Sequence, residues 1–234
     1  MTRFLSSRKA LCLGSLAAAA VITVAPTANA AVLLTGTGAN TDLRNNGTSN
    51  YGGSIGYSFT VDTSGVVVTA LGVYDAAGND TAANTGSLGD GLEDQAPVAL
   101  YDAAGNLLAS VTVPVGSGAG TLVNDFRYVD LATTVALTAG ETYTVAIGVD
   151  SGGNAFLNRS GIGGGDDATL SADFTYEDAW YGGGSSTNVN FPTTNSSSVY
   201  AAFVGPNFQY TVPEPATLAL LALGGVMMVG RDRR

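Results

Sequence analysis

Ser54-Ile55-Gly56-Tyr57-Ser58-Phe59-Thr60-Val61 carries a large apolar side chain at every second position, with small or hydroxylated residues between. Side chains alternate between the two faces of a sheet along a strand, so this stretch reads as a half-buried β-strand. Thr142-Tyr143-Thr144-Val145-Ala146-Ile147-Gly148-Val149 repeats the pattern. Outward from these two, further strands are predicted at residues 66–74, 98–101, 107–113, 126–129, 170–176, 199–204 and 207–211. Clusters of Gly, Asn, Asp and Ser separate them, and no amphipathic helix stands out between Ala31 and Thr211. The body is therefore predicted to be all-β, an antiparallel β-sandwich or jelly roll. Tyr74-Asp75-Ala76-Ala77-Gly78-Asn79 recurs as Tyr101-Asp102-Ala103-Ala104-Gly105-Asn106. Each copy reads as a strand ending in a turn capped by its aspartate.

Only 12% of the 234 residues are charged, about half the share usual in soluble domains, a balance that suits an extracellular all-β domain. In the body, residues 31–211, the basic residues are Arg44, Arg127 and Arg159 against seventeen carboxylates, a formal net charge of −14. Phosphate binding needs clustered Lys and Arg, so nucleic acid is excluded as a partner. There is no histidine, and the single cysteine, Cys12, precedes the body. Disulfides, zinc sites with imidazole or thiolate ligands, and Ser-His-Asp or Cys-His nucleophiles are thereby excluded from it.

Residues 1–30 have a basic start (Arg3, Arg8, Lys9), an apolar stretch over 10–24, and Ala28-Asn29-Ala30 before Ala31. This is the layout of a secretory signal peptide, with Ala28 and Ala30 as the signal-peptidase site. Leu11 stands before Cys12 where a lipoprotein signal needs a small residue, which argues against lipidation.

Residues 212–234 run Val212-Pro213-Glu214-Pro215, an apolar stretch over 216–230, and Arg231-Asp232-Arg233-Arg234. The prolines fix φ and remove backbone donors, leaving an extended segment open to a processing enzyme. The apolar stretch is predicted to be a hydrophobic, membrane-inserted helix. Its fifteen residues fall short of the roughly 20 that span a bilayer, so a transient, cleaved segment is expected rather than a permanent anchor. Basic residues at both extremes place both flanks in the cytoplasm and the body outside.

Val212-Pro213-Glu214-Pro215, the apolar stretch, and Arg231, Arg233 and Arg234 together resemble the PEP-CTERM sorting signal of Gram-negative bacteria. The resemblance implies recognition by an exosortase, a membrane cysteine transpeptidase, and cleavage near Pro213-Glu214-Pro215. It also implies transient insertion in the inner membrane and delivery to the cell surface or an exopolysaccharide matrix. A second resemblance rests on Gly-Tyr-Ser-Phe-Thr-Val at 56–61, Thr-Ala-Leu-Gly-Val-Tyr-Asp at 69–75, residues 98–109, and Leu-Thr-Ala-Gly-Glu-Thr-Tyr-Thr-Val at 137–145. It is similar to a bacterial extracellular β-sandwich domain of unknown function, and implies a fold and a compartment but no active site.

Four acidic groupings stand out: Asp75 with Asp80; Asp90, Glu93 and Asp94; Asp166 with Asp167; and Glu177 with Asp178. Asp- and Gly-rich loops supply the oxygen ligands of calcium, but no segment has EF-hand spacing, and solvated turn aspartates are the leading reading. No cofactor is expected, with structural calcium as the alternative. A pair of these carboxylates could serve a glycosidase, although no catalytic motif accompanies them. Tyr176, Trp180 and Tyr181, ahead of Gly182-Gly183-Gly184, are the candidate glycan contact, with Tyr51 and Phe191 in similar surroundings; core packing is the competing reading. The expectation is an exported, non-enzymatic surface or matrix protein that associates with exopolysaccharide. The alternatives are a secreted glycan-active enzyme and a calcium-stapled adhesin.

Overall fold

The computed structural model describes residues 30–35, 43–44, 51–75, 91–118, 120–154, 156–159, 169–196 and 202–212. The predicted signal peptide up to residue 29 and the predicted C-terminal helix over 216–230 lie outside them. The described residues contain strands and no helix, hence none long and apolar enough to cross a membrane.

Two antiparallel sheets carry the fold. The six-stranded sheet runs Thr194–Asn195, Phe174–Gly182, Gly53–Val61, Thr142–Val149, Ala96–Asp102, Leu107–Val113. The five-stranded sheet runs Ala31–Val32, Pro206–Thr211, Val67–Tyr74, Phe126–Ala136, Thr121–Val123. The two alternating stretches pair directly, with Tyr57 opposite Val145 and Ile55 opposite Ile147. Their apolar faces join those of the other sheet in one buried cluster that includes Phe59, Val68, Leu71, Leu100, Phe126 and Phe208. The body is a β-sandwich, as the alternation predicts.

The strand at Leu107–Val113 matches its predicted bounds, and that of Phe126 runs on to Ala136. The predicted strand over 170–176 is broken: Thr169–Leu170 pairs with Leu34–Thr35, and a turn in which the Phe174 amide donates to the Ser171 carbonyl (3.0 Å) separates it from Phe174–Gly182. Two-residue strands such as Ala31–Val32 and Thr194–Asn195 are too short to show a period in sequence.

The turn echo is half correct. Asp102 caps its turn as expected, accepting from the amides of Ala104 and Asn106, both at 2.9 Å, with Gly105 at φ +82°. Asp75 is instead buried in an ion pair with Arg127, and the four residues that complete its copy lie outside the described set.

The outer face of the six-stranded sheet is partly roofed. A small hairpin pairs Gly184–Ser185 with Asn188–Val189 and lies over Gly148, where a Cβ would collide with the carbonyl oxygens of Ser185 and Asn188. Ser54 Oγ donates to the Gly183 carbonyl (2.9 Å) and accepts from the Asn190 amide (2.8 Å), and Tyr101 Oη donates to the Val189 carbonyl (3.0 Å). Phe191 closes the roof edge-on against Tyr101, with ring centroids 5.4 Å apart.

Candidate functional site

Sequence alternation alone would place Tyr176, Asp178 and Trp180 on one face of their strand, with Glu177 and Tyr181 on the other. A β-bulge changes this: Tyr176 pairs with Phe59, whereas Asp178 pairs with Ser58 and Trp180 with Gly56. A bulge inserts one residue and reverses the side-chain phase beyond it. Tyr176 therefore faces the core, its ring 6.1 Å from that of Tyr57, in line with Ala179 and Tyr181. Tyr181 packs edge-on against Tyr51 at 6.2 Å and Phe203 at 6.4 Å. Trp180 stands on the opposite, outer face, half-buried.

The three aromatic residues thus form no common platform, and what gathers around Trp180 is polar. Its indole Nε1 donates to Ser58 Oγ at 2.9 Å. Thr60 Oγ1 donates to the exposed Glu177 carboxylate at 2.7 Å and lies 3.1 Å from Thr142 Oγ1. Asp178 shares this face through its pairing with Ser58, and Asn195 pairs with Trp180 from the neighbouring strand. The bulge that brings Glu177 and Asp178 beside Trp180 left no signal legible in the sequence.

Of the acidic groupings, Asp80, Asp90, Asp166 and Asp167 lie outside the described residues. The Asp94 backbone exchanges two hydrogen bonds with the side-chain amide of Asn154, at 3.1 and 2.6 Å. Among the described residues no group of three or more His, Cys, Asp or Glu is placed to hold a metal ion.

The residues that follow the expected signal-peptidase site and those that lead into residues 212–234 meet at one edge of the sandwich. Ala31 pairs with Tyr210 and Val32 with Gln209, the Leu33 amide donates to the Phe208 carbonyl at 2.9 Å, and the buried Asn207 side chain brackets Leu34 at 3.2 and 2.9 Å. Ala28, of the expected signal-peptidase site, lies outside the described residues, while Ala30 is described and exposed. The last strand ends at Thr211, and Val212 follows it half-buried. Pro213, Glu214, Pro215, Arg231, Arg233 and Arg234 lie outside the described residues.

Ser171 and Tyr210 close this end of the molecule over Asp173. Tyr210 Oη donates to Asp173 Oδ2 at 2.7 Å. Burial works against the Asp173 charge, but hydrogen bonds from Tyr210, Thr63 and Ser171 outweigh it and hold the carboxyl below its ordinary value. Burial, with the neighbouring carboxylate, pushes the Tyr210 phenol up to about 12. Burial likewise raises Tyr57, Tyr101, Tyr128 and Tyr176. A phenol raised in the folded state contributes stability that is complete below its unfolded value, about 10, and is lost as pH rises through the folded value. No histidine, lysine or cysteine titrates in the body. The melting temperature is therefore expected to stay nearly flat from about pH 6 to 9 and to fall steeply above about pH 10. Thermal melts across that range check this; a steep loss between pH 7 and 9 would contradict it.

A sandwich of two antiparallel sheets, strongly acidic and without histidine or cysteine, is an all-β body consistent with an extracellular domain. The segment that continues its last strand says where the chain goes: residues 211–234 match the PEP-CTERM protein-sorting motif. The chain is an exported protein sorted through exosortase, with a cell-surface or extracellular destination. No curated protein matches the chain.

Proposed function

We propose that the chain is a non-enzymatic protein of the cell surface or extracellular matrix of a Gram-negative bacterium, whose sandwich body associates with exopolysaccharide. The signal peptide over 1–30 starts export, the apolar stretch over 216–230 holds the protein in the inner membrane for a time, and exosortase cuts near Pro213-Glu214-Pro215. The observation that carries this reading is the sorting motif joined without a linker to the last strand, against which Ala31 is paired. A body whose first and last strands are neighbours presents both junctions at one end. A chain tethered on both sides to one membrane can fold in that arrangement without threading. The absence of histidine and cysteine supports a non-catalytic body by removing the commonest nucleophile and base systems.

Mass spectrometry of the protein from native cells tests the reading. The expected product begins at Ala31, ends near residues 213–215 and is found in the surface or matrix fraction. Recovery of a chain that still carries Arg234 from that fraction would overturn the sorting step. Release of reducing ends from polysaccharide, abolished by a single Asp→Asn or Glu→Gln change, would overturn the non-enzymatic assignment.

A further inference from the structure

We propose that the outer sheet face around Trp180 is a contact site for an uncharged pyranose chain; the proposal rests on the matrix reading above and names its point of contact. Trp180 sits between Gly56, which has no side chain, and Asn195. Its indole N–H is committed to Ser58, which draws the ring along the Gly53–Val61 strand and across the sheet. Among the described residues no other aromatic ring packs on it, unlike Tyr176, Tyr181 and Phe191, each of which lies against a core or roof ring. The part of the half-buried ring left open is thereby fixed in place and suited to the C–H side of a sugar ring. Around it, Glu177 and Asp178 offer acceptors for ring hydroxyls, and Thr60 holds the Glu177 carboxylate at 2.7 Å.

Charge selects the sugar. Two carboxylates flank the ring, the body carries a formal −14, and its basic residues are three arginines, of which Arg127 is buried in an ion pair. A uronate or sulfated chain would be repelled by these carboxylates, whereas a neutral chain has no such cost. The protein thus contacts the uncharged component of a matrix.

Trp180 is the only tryptophan in the chain, so indole emission reports this face alone. Titrating the full chain with cellohexaose is expected to give a saturable change in emission, and an alginate hexamer at the same concentrations none. By calorimetry, Trp180→Ala should weaken cellohexaose binding about tenfold or more. Should Trp180→Ala not fold, Glu177→Gln, at an exposed position, should weaken it about threefold or more. No saturable response to cellohexaose, tighter binding of the alginate hexamer, or unchanged affinity in the folded variant would each overturn the site. Those results leave the sorting reading standing, because correct termini and surface delivery of the same variant are measured separately.

Discussion

Arg127→Ala is expected to destabilise the body by about 3–5 kcal/mol, because it strands a buried carboxylate. Asp75 and Arg127 are 1% and 3% exposed and joined through Nε and Oδ2. Each also holds a second segment: the Gly91 amide donates to Asp75 Oδ1 at 3.3 Å, and Arg127 Nη1 donates to the Ser117 carbonyl at 2.7 Å. The pair ties the end of the Val67–Tyr74 strand to Gly91 and Ser117, which flank the Leu92–Gly116 bridge at the open end of the paired strands Ala96–Asp102 and Leu107–Val113. For a body of this size each kcal/mol shifts the melting temperature by about 2–4 °C, so a fall of roughly 10 °C is expected. The double variant Asp75→Leu/Arg127→Met removes both charges and should recover part of that loss, since an apolar pair avoids the desolvation cost. Recovery should be incomplete, because the Gly91 amide and the Ser117 carbonyl lose hydrogen bonds worth about 0.5–1.5 kcal/mol each. Thermal melts of the single and double variants decide the matter. A loss below about 1 kcal/mol in Arg127→Ala would show that water reaches the stranded Asp75 carboxylate.

That ion pair also marks where sequence reading stops. The repeated Tyr-Asp-Ala-Ala-Gly-Asn gives two aspartates the same local context, yet Asp102 caps a turn while Asp75 turns inward to a cation 52 residues away. Local pattern describes turns well and says nothing of a long-range partner. The central strands were legible although they are buried on both faces rather than half-buried as their pattern suggests. One face packs large side chains into the core and the other, closely roofed, admits small or hydroxylated residues, which keeps a period of two over Ile55 to Val61 and Tyr143 to Val149. The bulge after Tyr176 was not legible, since an inserted residue leaves the same letters and reverses their faces. The candidate aromatic trio therefore separated into two core residues and one outer residue. A clue did exist at Gly148: a glycine within an otherwise regular strand often marks close backbone approach, and the Gly184–Ser185 hairpin lies there. The sorting motif was legible in full because it is read by order and composition along the chain and needs no tertiary partner.

Phe208→Ala should be about as damaging as the loss of Arg127, near 3–5 kcal/mol. Phe208 is fully buried on the Pro206–Thr211 strand of one sheet, and its ring centroid lies 5.3 Å from that of Phe59 and 5.5 Å from that of Phe174, both on the other sheet. Phe174 in turn stands edge-on to Tyr210 at 4.9 Å. Truncation leaves a cavity where the two sheets interlock, and the rings around it belong to strands paired on both sides, so they can collapse into it only in part. Phe208→Leu keeps most of the volume and should cost less than about 1.5 kcal/mol. The consequence reaches the junctions, because the same strand holds Ala31 and Val32 by pairing and leads directly into the sorting motif. Loosening it should raise amide exchange at Leu33 and Leu34, whose N–H groups donate to Phe208 and Asn207 of that strand, well before it does so at Val145 or Ile147 in the middle of the other sheet. Hydrogen exchange on the full chain, read at these four amides in Phe208→Ala and Phe208→Leu, tests the coupling. Equal acceleration at all four amides would mean that the body opens only as a whole and that the junction strand has no independent mobility.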